Sequence, residues 1–175
     1  IGADYRNGKV GDCRYSDICV FSFHPVKIVT SGEGGMLTTK DQELATRLQE
    51  LRTSGMTRDP ARMVSESEGP WYYEMVHLGL NYRMTDMQAA LGESQMARID
   101  AFVARRRDLA TRYDTALAGL PLTVPFQDPE GRSAFHLYPI HLQLDRLTQG
   151  RRAVFETLRA RGIGVNVHYI PVHLQ

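Results

Sequence analysis

The sequence predicts an α/β protein, on three observations. Short β-branched and aromatic runs read as strands, Ile18–Phe23 (ICVFSF) foremost. Apolar residues recur at helical spacing over 41–54, 85–117 and 151–161. Beyond Leu120 the pattern becomes strands around one helix, a β…β-α-β unit.

Taken in order, Ile18–Phe23 is expected to be a buried strand that His24-Pro25 ends, because proline cannot donate to a ladder. Thr30–Gly35 (TSGEGG) reads as a glycine-rich turn and Met36–Thr39 as the return strand. Asp41 can cap a helix running to about Ser54, with Leu44, Leu48 and Leu51 on one face and Gly55 as its stop. Thr57–Tyr73 is polar and aperiodic, and reads as a long loop. Thr85 or Asp86 opens a helical region containing Met87, Ala90, Leu91 and Ser94. A break near Arg98 precedes Ile99, Phe102 and Val103, and the helix then runs to Leu117. Gly119-Leu120-Pro121 stops it. Leu122–Val124, His136–Leu142 and Val165–Ile170 read as strands, and Arg151–Arg161 as a helix closed by Gly162. A domain boundary is expected near Leu120, giving units 1–119 and 120–175.

Composition narrows the function. The 175 residues carry 21 Lys plus Arg against 20 Asp plus Glu, a net charge of +1. No global field draws nucleic acid or an anionic membrane, and no run is apolar enough to span a bilayer. Arg105-Arg106-Arg107 lies in a helical pattern and reads as a solvated face. The length allows one domain, or one and a fraction, with enough buried surface for a core. Cys13 and Cys19 make neither a disulfide framework nor a zinc site, so no metal is expected and a reducing cytoplasm is the simplest home. The chain opens on Ile, so the natural N-terminus is expected upstream.

The chemistry centres on Ser22-Phe23-His24-Pro25-Val26-Lys27, followed by Gly32-Glu33-Gly34-Gly35. A lysine in a short turn after a strand is held near the interior. Desolvation there disfavours an ammonium, as Schiff-base chemistry requires. Ser22 lies five residues upstream and can offer a hydroxyl to a phosphate. The spacing alone does not overturn the plainer reading, a surface lysine after a strand with a glycine-rich hairpin turn. The glycines do not form a P-loop, since no Lys-Ser pair follows them.

The run SFHPVKIVTSGEGGMLTT resembles the active-site segment of the DegT/DnrJ/EryC1/StrS family of sugar aminotransferases. The likeness continues in order. Gly11-Asp12 and Tyr15-Ser16-Asp17 resemble the stretch before the strand. LRTSGM (51–56) resembles a Leu-Arg-x-His-Gly segment, with Ser54 at the usual His. GLNYRM (79–84) with QAALG (88–92) resembles the family's Gly-x-Asn-x-Arg-Met motif before a helix. HLYPI (136–140), Gly162-Ile163 and VHYIPVH (167–173) resemble the C-terminal domain.

The resemblance implies fold type I of the pyridoxal-phosphate-dependent transferases. The chain would carry the C-terminal part of the large domain, the linking helix and most of a small α/β domain. Lys27 would form the Schiff base with pyridoxal 5'-phosphate, and Ser22 would bind its phosphate. Asn81 would reach the cofactor phosphate of a neighbouring subunit, implying a homodimer. His168, Tyr169, Arg83 and His24 would line the sugar site, and Glu33 would only shape the turn. L-glutamate would donate the amino group to a UDP-linked 4-keto-6-deoxy sugar. The His-Pro-Val-Lys form and VHYIPVH are similar to the branch serving pseudaminic acid biosynthesis. Dehydratase relatives carry His at the lysine, and Lys27 argues against that activity.

In the family, the carboxylate that pairs with the pyridine nitrogen precedes a Gly-Ala. Here Gly2-Ala3 opens the chain, so it is expected before Ile1, and neither Asp4 nor Asp12 substitutes for it. The chain is also expected to continue past Gln175. A non-catalytic homologue that dimerises or binds a sugar nucleotide is the alternative.

Overall fold

A hairpin of Asp4–Tyr5 (β1) and Gly8–Lys9 (β2) begins the fold, which the computed structural model describes over all 175 residues. Cys19–Ser22 (β3) pairs antiparallel with Gly35–Thr38 (β4), and Phe23–Gly34 connects them. Gln42–Arg52 (α1) follows. Asp41 caps it by accepting the amide of Leu44 at 2.9 Å. Met56–Thr57 (β5) pairs with Glu74–Met75 (β6). Asp86–Met96 (α2) starts at a capping box made by Thr85 and Gln88. Ile99–Ala116 (α3) begins after the expected interruption at Arg98. Then come Leu122–Thr123 (β7), Gly131–Arg132 (β8), His141–Leu142 (β9) and Arg151–Ala160 (α4). β7 pairs with β9, and β8 adds to the free edge of β1. That last ladder ties residues beyond Leu120 back to the start of the chain.

Four expectations need correction. β3 is not a buried strand: Val20 is 72% exposed, while Phe23, Ile28, Val29 and Ser31 of the connection are buried. The strand expected over Val165–Ile170 does not form, because no segment of the chain lies beside it to complete a ladder. His136–Leu142 shrinks to β9 for the same reason. The expected core is small: 11 of 175 residues are buried. Its apolar cluster is Ile28, Val103 and Ala134, with Ile1, Ala3, Ile99 and Phe102 packed around it.

The stretch read as a loop, 57–73, is held at residues 62–65. Arg62 grips Glu50 at 2.6 and 3.0 Å and Glu43 at 2.9 Å. Glu50 is only 5% exposed, and the hydrogen bond from Arg62 holds its carboxyl below the usual range. Glu74 accepts the amides of Val64 and Ser65 at 2.6 and 2.9 Å.

The end of α1 and the segment before α2 cross at close quarters. The amides of Leu80 and Tyr82 donate to the carbonyls of Leu51 and Arg52 at 2.7 and 3.0 Å, and that of Ser54 donates to Leu80 at 2.9 Å. Gly55 makes this possible. It takes φ +70°, and a Cβ there would stand 1.7 Å from the carbonyl oxygen of His77. Gly55→Ala should destabilise the fold by roughly 2–4 kcal/mol in urea unfolding. Gly164→Ala, where a Cβ meets nothing within 4 Å, should be near neutral in the same measurement.

Candidate active site

The connection after β3 is organised around the backbone of Phe23. Its amide donates to Gly34 at 2.8 Å, and its carbonyl accepts the Ser31 amide and the Thr30 hydroxyl, each at 3.0 Å. Within this closed loop the Lys27 amide donates to the His24 carbonyl at 2.9 Å, forming a turn. Ile28 and Val29 behind it are buried, so the turn sits on the core and Lys27 is half-buried. Lys27 forms no ion pair, whereas Lys9 is paired with Asp4 at 2.5 Å. Its Nζ instead lies 3.5 Å from Nε2 of His136.

His136 is brought there by α3. Arg106 donates to the carbonyls of Phe135 and His136 at 3.0 and 3.4 Å. Arg107 donates to the carbonyls of Ser133 and Arg132 at 2.9 and 3.0 Å, and to Asp4 at 2.8 Å. The basic run is therefore a clamp and not the solvated face that the sequence suggests; only Arg105 pairs locally, with Asp108. The gripped segment turns sharply, with Phe135 at φ +47°. Two residues on, Tyr138 donates to Asp114 at 2.5 Å; burial and that bond push its phenol up to about 12. Burial, then the cations Lys27 and Arg106, hold the His136 imidazole below its usual value.

His136 lines the first of two clefts. One, of about 630 Å³, is walled by Phe135 and His136 together with Tyr5, Phe126 and Arg132. The other, of about 300 Å³, lies between Glu33–Gly35 and Tyr82–Met84. Gly34, at φ +156°, allows the second pair of walls to meet: a Cβ there would be 2.5 Å from Ser31 Oγ and 3.1 Å from Met84 Sδ. No group of three or more His, Cys, Asp or Glu side chains is placed to hold a metal ion, and no helix is long and apolar enough to cross a membrane.

A sequence profile of the DegT/DnrJ/EryC1/StrS aminotransferase family matches residues 1–175. The chain belongs to that family. Among its relatives is the spore coat polysaccharide biosynthesis protein SpsC of Bacillus subtilis, 39% identical over 97% of this chain and 43% of its own length. Another is the UDP-4-amino-4,6-dideoxy-N-acetyl-beta-L-altrosamine transaminase of Campylobacter jejuni, 36% identical over 99% of this chain and 43% of its own. A Streptococcus pneumoniae protein solved in a PLP form superposes with TM-score 0.81 at 30% identity, covering 99% of this chain and 43% of that one. The α/β fold type I expected from the sequence is thus the fold of this family member. The chain spans less than half the length of these relatives.

The family residues named from the sequence fall into separate places. Ser22 is exposed at the end of β3, and its Oγ accepts the His24 amide at 3.4 Å. His24 Nε2 lies 3.9 Å from Glu33. Arg83 lines the smaller cleft with Glu33. Asn81 is exposed and its backbone bridges to Thr53. His168 and Tyr169 are exposed and stack edge-on at 4.4 Å. No hydrogen bond or ion pair joins Ser22, Asn81, Arg83 or Tyr169 to Lys27. Charge on His168 would act against charge on His136. Asp4 is held by Lys9 and Arg107, and Asp12 by Arg14 at 2.6 Å, so both carboxylates nearest the start are engaged.

Sequence reasoning missed His136 as a site residue. Its signal was present in HLYPI, where an imidazole opens an otherwise apolar run. The lowered value of His136 sets the sign of a pH effect. The unfolded state binds its proton near pH 6.5 and the folded state binds it only lower, so this stability is present above about 6.5 and lost as pH falls below it. Asp4 and Glu50, both lowered, lose theirs only in the more acid carboxylate range. Urea unfolding between about pH 7 and 5.5 should therefore show falling stability, and His136→Gln should flatten that part of the curve.

Proposed function

We propose that this chain carries the Schiff-base lysine of a pyridoxal-phosphate-dependent aminotransferase acting on a nucleotide-linked sugar. The observation that carries the reading is Lys27: a half-buried amine at a strand end, with no carboxylate partner and an imidazole at 3.5 Å. An exposed lysine of no consequence meets solvent or an acid, as Lys9 does. The amine and hydroxyls of this loop fit the cofactor's aldehyde and phosphate. When bound, pyridoxal phosphate supplies the aldehyde and a ring that acts as an electron sink.

Lys27 would hold the cofactor through its amine and, once freed, carry a proton at Nζ. The Ser22 hydroxyl, exposed five residues before it, would donate to the phosphate. Asn81 would serve the phosphate of a second copy, which makes a homodimer part of the proposal. Arg83, with no acid paired to it, would hold a diphosphate or carboxylate by its planar fork at the smaller cleft. His24, His168 and Tyr169 would border the sugar. The division into a large-domain part, 1–119, and a small-domain part, 120–175, belongs to the same proposal.

The finer reading is a UDP-linked 4-keto-6-deoxy-N-acetyl hexose aminated at the expense of L-glutamate, in pseudaminic acid biosynthesis. It is supported by the His-Pro-Val-Lys and VHYIPVH forms and by the Campylobacter relative's substrate class.

Adding pyridoxal phosphate should produce absorbance near the visible edge. Borohydride should then fix the cofactor's mass on Lys27 and not on Lys9 or Lys40, the other two of the chain's three lysines. Lys27→Ala should lose the adduct, and amination by the complete protein should drop by at least about 10²-fold. Equal adducts on all three lysines would defeat the reading.

A further inference from the structure

We infer that Cys13 and Cys19 form a reversible dithiol–disulfide pair, closed by exchange with a small-molecule disulfide of the glutathione type. The pair lies at the start of β3, and its chemistry does not depend on what Lys27 binds. Three features of the structure lead to it.

The first is the face that the two thiols share. Register sets Cys19 opposite Thr38, so their side chains leave the β3–β4 hairpin on one face, together with that of Phe21. Opposed residues bring their Cβ atoms to about 4.5–5.5 Å. The turn at Gly11–Cys13 lies on the same face. The Thr38 hydroxyl donates to the Gly11 carbonyl at 2.8 Å, and a Cβ on Gly11 would stand 2.5 Å from the Phe21 ring. Cys13 Sγ is 3.1 Å from the Thr38 carbonyl oxygen and 3.5 Å from the Thr38 hydroxyl. Thr38 therefore has one cysteine opposite it in the ladder and the other thiol resting against it.

The second is the backbone of Cys13. It sits at φ +50°, a left-handed conformation that is costly for a residue with a Cβ and free for glycine. In that conformation the thiol meets Thr38. The third is freedom to close. A disulfide needs Cβ atoms about 3.5–4.5 Å apart, so Cys13 has to move past Thr38 toward Cys19. Residues 14–18, which join the two, make no backbone–backbone hydrogen bond. Of their backbone groups only the Arg14 amide is engaged, by Asp12 at 3.1 Å. Both cysteines are free and partly exposed, so a small oxidant reaches them.

The exchange has two steps. One protein thiolate attacks a sulfur of the small disulfide, whose S–S bond breaks; a mixed disulfide forms and one small thiolate leaves. The second protein thiolate attacks the protein sulfur of the mixed disulfide and expels the other small thiolate. The two protein thiols lose two electrons, the small disulfide is reduced to two thiols, and the two protons end on those leaving groups. Cys13 no longer carries S–H in the product, so its hydrogen bond to the Thr38 carbonyl is lost. A pair of this kind suits a reducing compartment, where protein disulfides are transient and follow the redox poise.

The test equilibrates the complete protein in buffers of reduced and oxidised glutathione, then applies acid quench, thiol capping and trypsin. Cleavage at Arg14 places Cys13 in Val10–Arg14 and Cys19 in Tyr15–Lys27, so mass spectrometry reads the bond as a joined pair of peptides. The same equilibration in urea gives the pairing that nearness in sequence produces without a fold. The folded protein should form the joined pair at a glutathione ratio at least about tenfold less oxidising than the unfolded chain, a difference of about 30 mV. Cys13→Ser and Cys19→Ser should each abolish the joined pair and leave glutathione on the remaining cysteine. Mixed disulfides alone on the folded protein, or a joined pair that forms in the fold no more readily than in urea, overturns the inference.

Discussion

The site depends on the guanidinium clamp that α3 closes on residues 132–136. That segment leaves β8 and turns through a left-handed Phe135, and beyond Arg132 its carbonyls meet no strand. Arg106 and Arg107 supply the missing donors, and hydrogen bonds from a charged group are about twice as strong as neutral ones. Val103 lies one turn earlier on the same helix face and packs on Ile28 and Ala134. Ile28 follows Lys27, and Ala134 stands two residues before His136. The apolar cluster and the clamp therefore fix the two side chains of the site through their immediate neighbours.

The small core makes the polar attachments matter more. With so few buried residues, ladders of two to four residues cannot hold the chain by apolar burial alone. The attachments are instead specific and local. Asp41 and the Thr85–Gln88 box satisfy helix starts, Arg62 joins Glu50 to Glu43, and Gly55 admits the crossing strand of backbone. Among them, loss of Arg62 would strip the buried Glu50 carboxylate of its guanidinium partner, which costs more than the bond itself contributes.

What could be read from the sequence follows the range of the interaction concerned. Asp41, Thr85 and the interruption at Arg98 act within a turn or two of the residues that reveal them, and the structure places them as expected. The family segments were legible because a profile of adjacent residues carries them. Val165–Ile170 has the composition of a strand, yet a strand exists only where another lies beside it, and that is a fact about distant parts of the chain. The arginine run misled for the same reason. Its charge and helical phase are local, while the carbonyls it serves are 25 to 30 residues away. His136 escaped notice because its meaning comes from a lysine 109 positions distant.

Lys27 is the point at which stability and chemistry part. The chain holds nearly equal numbers of acids and bases, and its other half-buried cations are engaged: Arg62 with two glutamates, Arg107 with Asp4. A carboxylate beside Lys27 would have been the stabilising choice, as it is at those sites. The fold instead sets the imidazole of His136 3.5 Å from this one lysine, with Ile28 and Val29 buried behind its turn. An environment that gives a half-buried lysine no carboxylate gives up a favourable pairing that Arg62 and Arg107 keep.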